Sequence, residues 1–357
     1  MSNANYHIIG LMSGTSGDGL DVAYCHFEKS DLWQFEILEA ITIPFPDQLG
    51  EQLQKAHLLN ALDLHYLDVA FGKWMGQEVK QFCSKKQISP IAICSHGHTV
   101  FHQPQKGLSL QIGNGWALHQ ASEMKVINDF RMLDVQLGGQ GAPLVPIGDQ
   151  LLFPHLDFCI NLGGISNISM QWKGERIAFD CSPFNLLLNP IAEKLGSPYD
   201  RDGQWAREGQ VDAELLEKLN QVPFYQKKGA KSLGREDMDE VFSPIIQSSN
   251  APEKDKLATL TEHYAIQIAQ IIQAYALHEK PKVLLSGGGA YHTYFIERLH
   301  HQLQGNWQQF EASNELIEFK EALIFGFLGV LRLRGESNCL ASVTHASRDS
   351  SGGTIFG

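Results

Sequence analysis

The sequence predicts an α/β protein in which one plan is used twice, with a cleft between the two halves. Three observations predict it. Two apolar, strand-like runs around a glycine-rich turn open the chain, the same pairing recurs from residue 157, and each set is followed by an amphipathic helix and a short apolar strand. The length of 357 residues also passes the roughly 250–300 residues at which one core stops growing, so two domains are expected.

Taken in order, "NYHIIGLMS" and "LDVAYCHFE" read as paired strands, and "QFEILEAITIPF" adds a third run rich in β-branched residues. "ALDLHYLDVAFGKWMGQEVKQFCSKK" carries Leu64, Leu67, Phe71, Trp74, Met75, Val79 and Phe82 three or four apart, a helical stripe. The strand "PIAICSH" follows. "DFCINLGGISNISMQW" and "RIAFDCSPFN" repeat the meander, and "LATLTEHYAIQIAQIIQAYALHEK" repeats the helix, with Leu257, Leu260, Tyr264, Ile268, Ile271, Ile272 and Tyr275 on one face. "PKVLLSGGGAYHTYFIERLHHQL" then reads as strand, turn and helix. The boundary is expected in "FRMLDVQLGGQGAP", giving domains 1–132 and 133–357, the first joined by part of the C-terminal tail. "SNCLASVTHASRDSSGGTIFG" is polar and Gly-rich and reads as a loosely packed tail.

A net charge of -12 argues against nucleic acid or an anionic membrane as a partner, since both need a cationic footprint. Cys25, Cys83, Cys94, Cys159, Cys181 and Cys339 show no C-x-x-C spacing and read as buried thiols in a reducing compartment. "MSNANYHIIG" lacks a basic region followed by a long apolar stretch, and no apolar run approaches about 20 residues, so a soluble, cytoplasmic protein is expected.

Gly-rich turns end several apolar runs: "GLMSGTSGDG", "LGGQGAP", "NLGGIS" and "SGGGA". Successive amides in such turns make anion-binding concavities, and several together suggest a nucleotide site; tight hairpins are the competing reading for each. The candidate nucleotide-binding residues are Gly14, Thr15, Ser16, Gly17, Asp18, Gly19 and Asp21 in the first turn, Gly163 and Gly164, and Gly287, Gly288 and Gly289. The G-x-x-x-x-G-K-[ST] phosphate loop is absent, and no lysine occurs between residues 8 and 28. "GTSGDG" has the spacing of a dinucleotide fingerprint, but strand follows where a helix should begin. Without a lysine, Asp18 and Asp21 make sense beside phosphates if they orient the waters of Mg²⁺; simple turn chemistry competes for both.

The ordered blocks "GLMSGTSGDGLD", "SHGHTVFHQP", "QIGNG", "INDFRMLDVQLGGQGAPLVP", "NLGGISNIS", "FDCSPFN", "SGGGA" and "SVTHAS" together resemble the anhydro-N-acetylmuramic acid kinases, of the superfamily that includes actin and sugar kinases. The resemblance runs nearly end to end. It implies two actin-like (ribonuclease H-like) domains, each a mixed sheet flanked by helices, with ATP and sugar in the intervening cleft. It also implies a cytoplasmic, Mg²⁺- and ATP-dependent kinase that opens 1,6-anhydro-N-acetylmuramic acid with water and phosphorylates O6, giving N-acetylmuramic acid 6-phosphate in peptidoglycan recycling and amino sugar catabolism. The implied partner is a small-molecule sugar, with a homodimer as the candidate assembly. A kinase for another anhydro sugar or a hexose, a non-catalytic sensor and a two-carboxylate glycosidase are the rivals.

Such a reaction needs a carboxylate to take the proton of the attacking water. The family's catalytic aspartate falls on Asp180 of "FDCSPFN"; the competing role is a cap for the next helix, for which Ser182 is the better candidate. Glu321 of "FKEALIF" matches a family glutamate facing the sugar, against a bare first-turn helix acid. Arg131 of "NDFR" suits the lactyl carboxylate or a phosphate, against an ion pair with Asp129 or Asp134. His96, within the cluster His96, His98 and His102, is assigned to the substrate side by analogy and not to zinc. "YDRDGQWAREGQVD" is read as a solvated turn without chemistry.

The chain departs from the family's pattern. Where the family has FDTGPGN, it has Cys181, Ser182 and Phe184, and where the family has VTGA it has His345. Filled glycine positions are expected to restrict positive φ and close backbone approach.

Overall fold

A computed structural model describes residues 4–13, 19–227, 229 and 231–357. The chain divides into two compact units, Met1–Phe153 with Phe319–Gly357, and Pro154–Glu318.

In the first unit, β1 (Ala4–Ser13), β2 (Gly19–Lys29) and β3 (Trp33–Pro44) form the expected antiparallel meander, with Ser13 opposite Leu20 and Met12 opposite Asp21. The helix Ala61–Lys86 starts where the Asn60 side chain accepts the N–H groups of Leu62 and Asp63, and it stops at Gln87 in the left-handed region. Its stripe of Leu67, Phe71, Met75, Val79 and Phe82 is buried against Ile9, Leu11, Val22 and Ile93 of the sheet. Then β4 (Ala92–Ser95) pairs parallel with β1, β5 (His98–Gln103) and β6 (Leu108–Ile112) form a separate antiparallel ribbon, and β7 (Val126–Asn128) pairs parallel with β4.

The second unit repeats the plan. Its strands β8 (Phe158–Leu162), β9 (Ile165–Trp172) and β10 (Glu175–Pro183) are the meander, and β11 (Lys282–Ser286) and β12 (Gln308–Gln309) add parallel strands, in the order β10-β9-β8-β11-β12. The first unit has the matching order β3-β2-β1-β4-β7. Both are mixed sheets, as expected of the two domains. In the helix Glu253–Tyr275, Leu257, Leu260, Tyr264, Ile268 and Ile272 are buried in the core of this unit, with Ile271 and Tyr275 partly buried at its margin.

The C-terminal segment is not a loose tail. The strand β13 (Thr354–Phe356) pairs antiparallel with β7, and Asn338 ties the carbonyls of Leu328 and Gly352 together at 3.0 and 2.9 Å. From Phe319 on, the helix Asn314–Arg334 covers the first sheet: a Cβ on Gly10 would run into the carbonyl of Ala322, and Phe327 packs on Phe27 and Trp33. The division at 153/154 lies beyond the expected 132/133. The helix Val145–Leu152 explains it, because Phe153 packs edge-on against Phe35 of β3 and Asp149 pairs with Lys320 at 2.7 Å. All six cysteines are free and buried. Among the described residues, no helix is long and apolar enough to cross a membrane.

Candidate functional site

Asp180 lies within β10, opposite Asn167, at a register shift before Ser182, and the strand continues to Pro183. A bulge there re-aims the side chain relative to a regular strand. The Asp180 N–H donates to the carbonyl of Lys231 at 3.0 Å, and its carboxylate accepts the N–H of Leu233 at 2.8 Å. Burial raises its pKa to about 6, with the Leu233 bond acting in the opposite sense. A carboxylate held near neutrality suits proton transfer at physiological pH.

Asp180 does not cap the helix Asn185–Lys194, and neither does Ser182. The carbonyls of Gly163 and Gly164 accept the N–H groups of Asn185, Phe184 and Leu186, while Ser182 belongs to β10. Phe184 has φ −140°, so this position requires no left-handed backbone, and its ring is fully buried against Tyr264 and Phe295. The family's second glycine is thus replaced by core packing.

The turn after β11 opens with Gly287 at φ +78°, where a Cβ would strike the Asn161 amide. Gly288 and Gly289 then line a cavity of about 510 Å³ together with Asn185, Asp200, Asp202, Tyr291 and His292. "YDRDG", a solvated turn by its sequence, supplies a wall of this cavity. Asp200 is buried and accepts the N–H groups of Trp205 and Ala206, both at 2.9 Å. The left-handed Asp202 and Gly203 after it form a turn that the D-x-D-G spelling signals.

In the first unit, His96 and Arg131 meet. His96 Nδ1 donates to the carbonyl of Gly97 at 2.9 Å, which leaves Nε2 as the acceptor for Arg131 Nε at 3.0 Å and Nη2 at 2.9 Å. Arg131 Nη1 donates to the Gly141 carbonyl at 2.7 Å. Burial, and then the guanidinium, hold His96 well below its ordinary pKa, while burial brings Arg131 down to about 10. Arg131 thus hydrogen-bonds a neutral imidazole, and not Asp129 or Asp134 as in the competing ion-pair reading. Asp134 instead accepts Thr344 Oγ1 at 2.7 Å, Cys339 Sγ at 3.1 Å and the Gly141 N–H at 2.7 Å, which joins "FRMLD" to "SVTHAS".

Glu321 lies within electrostatic reach of Arg131, Lys320 and Asp21; burial raises its pKa, the two cations lower it, and Asp21 raises it further. Asp21 lies in β2 and not in the turn, and it accepts the Thr42 hydroxyl at 2.6 Å. Gly19 begins that strand, where a Cβ would meet the Ile43 carbonyl. Gly14, Thr15, Ser16, Gly17 and Asp18, the centre of the expected phosphate turn, lie outside the described residues. Of the other histidines, His98 pairs with Ser13 Oγ at 3.1 Å and His102 with Ser109 Oγ at 3.0 Å. Among the described residues, no three His, Cys, Asp or Glu side chains gather as a metal site.

The family model described as anhydro-N-acetylmuramic acid kinase matches residues 6–357. The anhydro-N-acetylmuramic acid kinase of Pseudomonas syringae pv. syringae (strain B728a) is 34% identical over 359 residues, covering 96% of this chain and 96% of the relative. That of Vibrio vulnificus (strain YJ016) is 32% identical over 364 residues, covering 98% and 97%. Solved structures are more distant. A ROK hexokinase from Thermus thermophilus shows 12% identity and a TM-score of 0.38, covering 92% of this chain and 100% of that one. An activator of the 2-hydroxyisocaproyl-CoA dehydratase from Clostridium difficile with bound ADPNP shows 10% identity and a TM-score of 0.42, covering 93% and 97%.

Proposed function

The chain belongs to the anhydro-N-acetylmuramic acid kinase family, and from that premise we propose how its residues divide the reaction. Asp180 is the general base. It takes a proton from the water that attacks the anomeric carbon; the C1–O6 bond breaks, O6 forms a bond to the γ-phosphorus of ATP, and ADP leaves. The products are N-acetylmuramic acid 6-phosphate and ADP, as murein recycling in the cytoplasm requires.

The observation that carries this reading is the raised pKa of Asp180, about 6, on a carboxylate that accepts the Leu233 N–H at a strand bulge. Such a group is ionised at neutral pH and still basic enough to accept a proton. Ser182 and Phe184 are buried beside it, so packing takes up both replaced glycine positions, which favours a catalytic reading over a sensor role.

We assign the 510 Å³ cavity, with Gly287, Gly288 and Gly289 at its turn, to the nucleoside of ATP. Gly163 and Gly164 border this region through Asn185. Gly14, Thr15, Ser16, Gly17 and Gly19 are assigned to the phosphates, with Asp21 at the strand beyond them. Asp18 would hold Mg²⁺ through water, and the ion would neutralise phosphate charge when bound. His96, Arg131 and Glu321 are assigned to the sugar. The neutral imidazole orients the guanidinium, a donor fork for a carboxylate.

Incubation with ATP and 1,6-anhydro-N-acetylmuramic acid in ¹⁸O-labelled water tests the chemistry. Label at the anomeric hydroxyl of the phosphorylated product is expected. A phosphorylated product without label would exclude hydrolytic opening.

A further inference from the structure

Behind Asp180 runs a chain of buried polar groups that the proposed reaction does not use. Ser182 Oγ lies 2.9 Å from the Tyr225 hydroxyl, which lies 2.8 Å from His263 Nε2. His263 Nδ1 lies 2.7 Å from Asn220 Oδ1, which also accepts Gln267 Nε2 at 2.9 Å. Ser182 and His263 are wholly buried.

The direction of every bond follows from the inventory of donors. Asn220 Oδ1 only accepts, so His263 carries its proton on Nδ1. Burial lowers the pKa of His263 to about 3, so its Nε2 keeps a lone pair and accepts from Tyr225. The Tyr225 oxygen then accepts from Ser182. Proton positions run one way, from Ser182 through Tyr225 and His263 to Asn220.

The same tyrosine touches the other grip on Asp180. Lys231, whose carbonyl receives the Asp180 N–H, places its ammonium 4.4 Å from the Phe224 ring and 5.8 Å from the Tyr225 ring, and it donates to the Phe224 carbonyl at 3.4 Å. A closed circuit results: Asp180 to residues 231–233, these to Phe224 and Tyr225, and Tyr225 to Ser182, two residues from Asp180. Where the family has a glycine at position 182, no side-chain hydroxyl can complete this circuit.

We infer that Tyr225 is a positioning residue for Asp180, acting through Ser182 on one side and through the 231–233 segment on the other, with His263 as its fixed acceptor. This rests on Asp180 being the base. Fully satisfied buried networks hold a single geometry, and loss of one member leaves the others unpaired.

Steady-state kinetics and pH profiles of the full chain test it, with Tyr225→Phe, Ser182→Ala and the double variant. Tyr225→Phe is expected to lower kcat about tenfold with KM for ATP unchanged. The acid limb of its profile should move to lower pH as the Asp180 carboxylate gains solvent. Ser182→Ala, the smaller lesion, should move both in the same direction, and the double variant should lose no more than the worse single one, because both break one chain. A lowered Tm with wild-type kcat and an unmoved acid limb in both single variants would overturn the inference and leave a structural network. If Asp180→Asn retained turnover, the base assignment would fall first, and that result is read separately from the tyrosine series.

Discussion

The Asp180 carboxylate accepts one main-chain N–H, from Leu233 at 2.8 Å, and burial leaves the acid with a pKa of about 6. Activity should therefore fall as pH drops through about 6, where the base becomes protonated. Asp180→Asn is expected to reduce kcat by roughly 10²–10⁴ while calorimetric titration shows ATP and sugar still binding. Retained turnover would refute the assignment.

The same shift carries a stability prediction. A folded pKa raised from 3.8 to about 6 means the protonated acid favours folding; that contribution is complete below 3.8 and is lost as pH rises through about 6. At pH 7.5 the ionised group opposes folding. Asp180→Asn should raise Tm at that pH and give little gain near pH 4. An equal gain at both values would show that charge is not the cause.

His96 shows the opposite sign. Its folded pKa is depressed, so the stability it contributes is present above 6.5 and is lost as pH falls. Replacing the guanidinium by Arg131→Met should raise the His96 pKa, although burial, the larger cause, keeps it below the ordinary value. An NMR titration of the imidazole measures this directly; a downward or absent shift would contradict the geometry.

The departures from the family pattern should separate cleanly. His345 holds φ +64° where the family has glycine, so His345→Gly is expected to stabilise by about 0.5–1 kcal/mol, relief of left-handed strain less the added freedom of the unfolded chain. Phe184 has φ −140° and is fully buried, so Phe184→Gly should cost at least about 3 kcal/mol. Chemical denaturation of both variants gives the comparison, and equal signs would refute it.

The buried pair Lys320–Asp149, at 2.7 Å with each side chain 4% exposed, joins two helices of the first unit. Lys320→Met alone should cost about 3–5 kcal/mol by stranding the carboxylate. Adding Asp149→Leu should recover much of that loss in the same denaturation assay. No recovery would mean that packing around Lys320, and not its charge, sets the cost.

What the sequence made legible was local or periodic. The stripes of Ala61–Lys86 and Glu253–Tyr275 and the two meanders depend on spacing within one segment. Asp180 is singled out by its place in the block "FDCSPFN", and the strand that carries it runs on to Pro183. What stayed hidden depends on partners far along the chain. Asp21 falls in sequence both in the glycine-rich turn and in the strand run "LDVAYCHFE", and only its pairing with Met12 and Thr42 assigns it to the strand. Ser182 looked like a helix cap, but its partner, Tyr225, is unrelated to the helix. The glycine-rich end looked loose because the strand it pairs with, β7, is short and distant in sequence.

The second unit is one uninterrupted stretch, Pro154–Glu318, whereas the first is completed only by Phe319–Gly357. On the ribosome, the later-encoded unit can therefore finish folding first, while β1 and β4 wait for the helix that covers them. A nonsense mutation at residue 319 would release a chain with one closed domain and one sheet left bare on the face that the C-terminal helix covers, the kind of nascent product that chaperones retain and proteases clear.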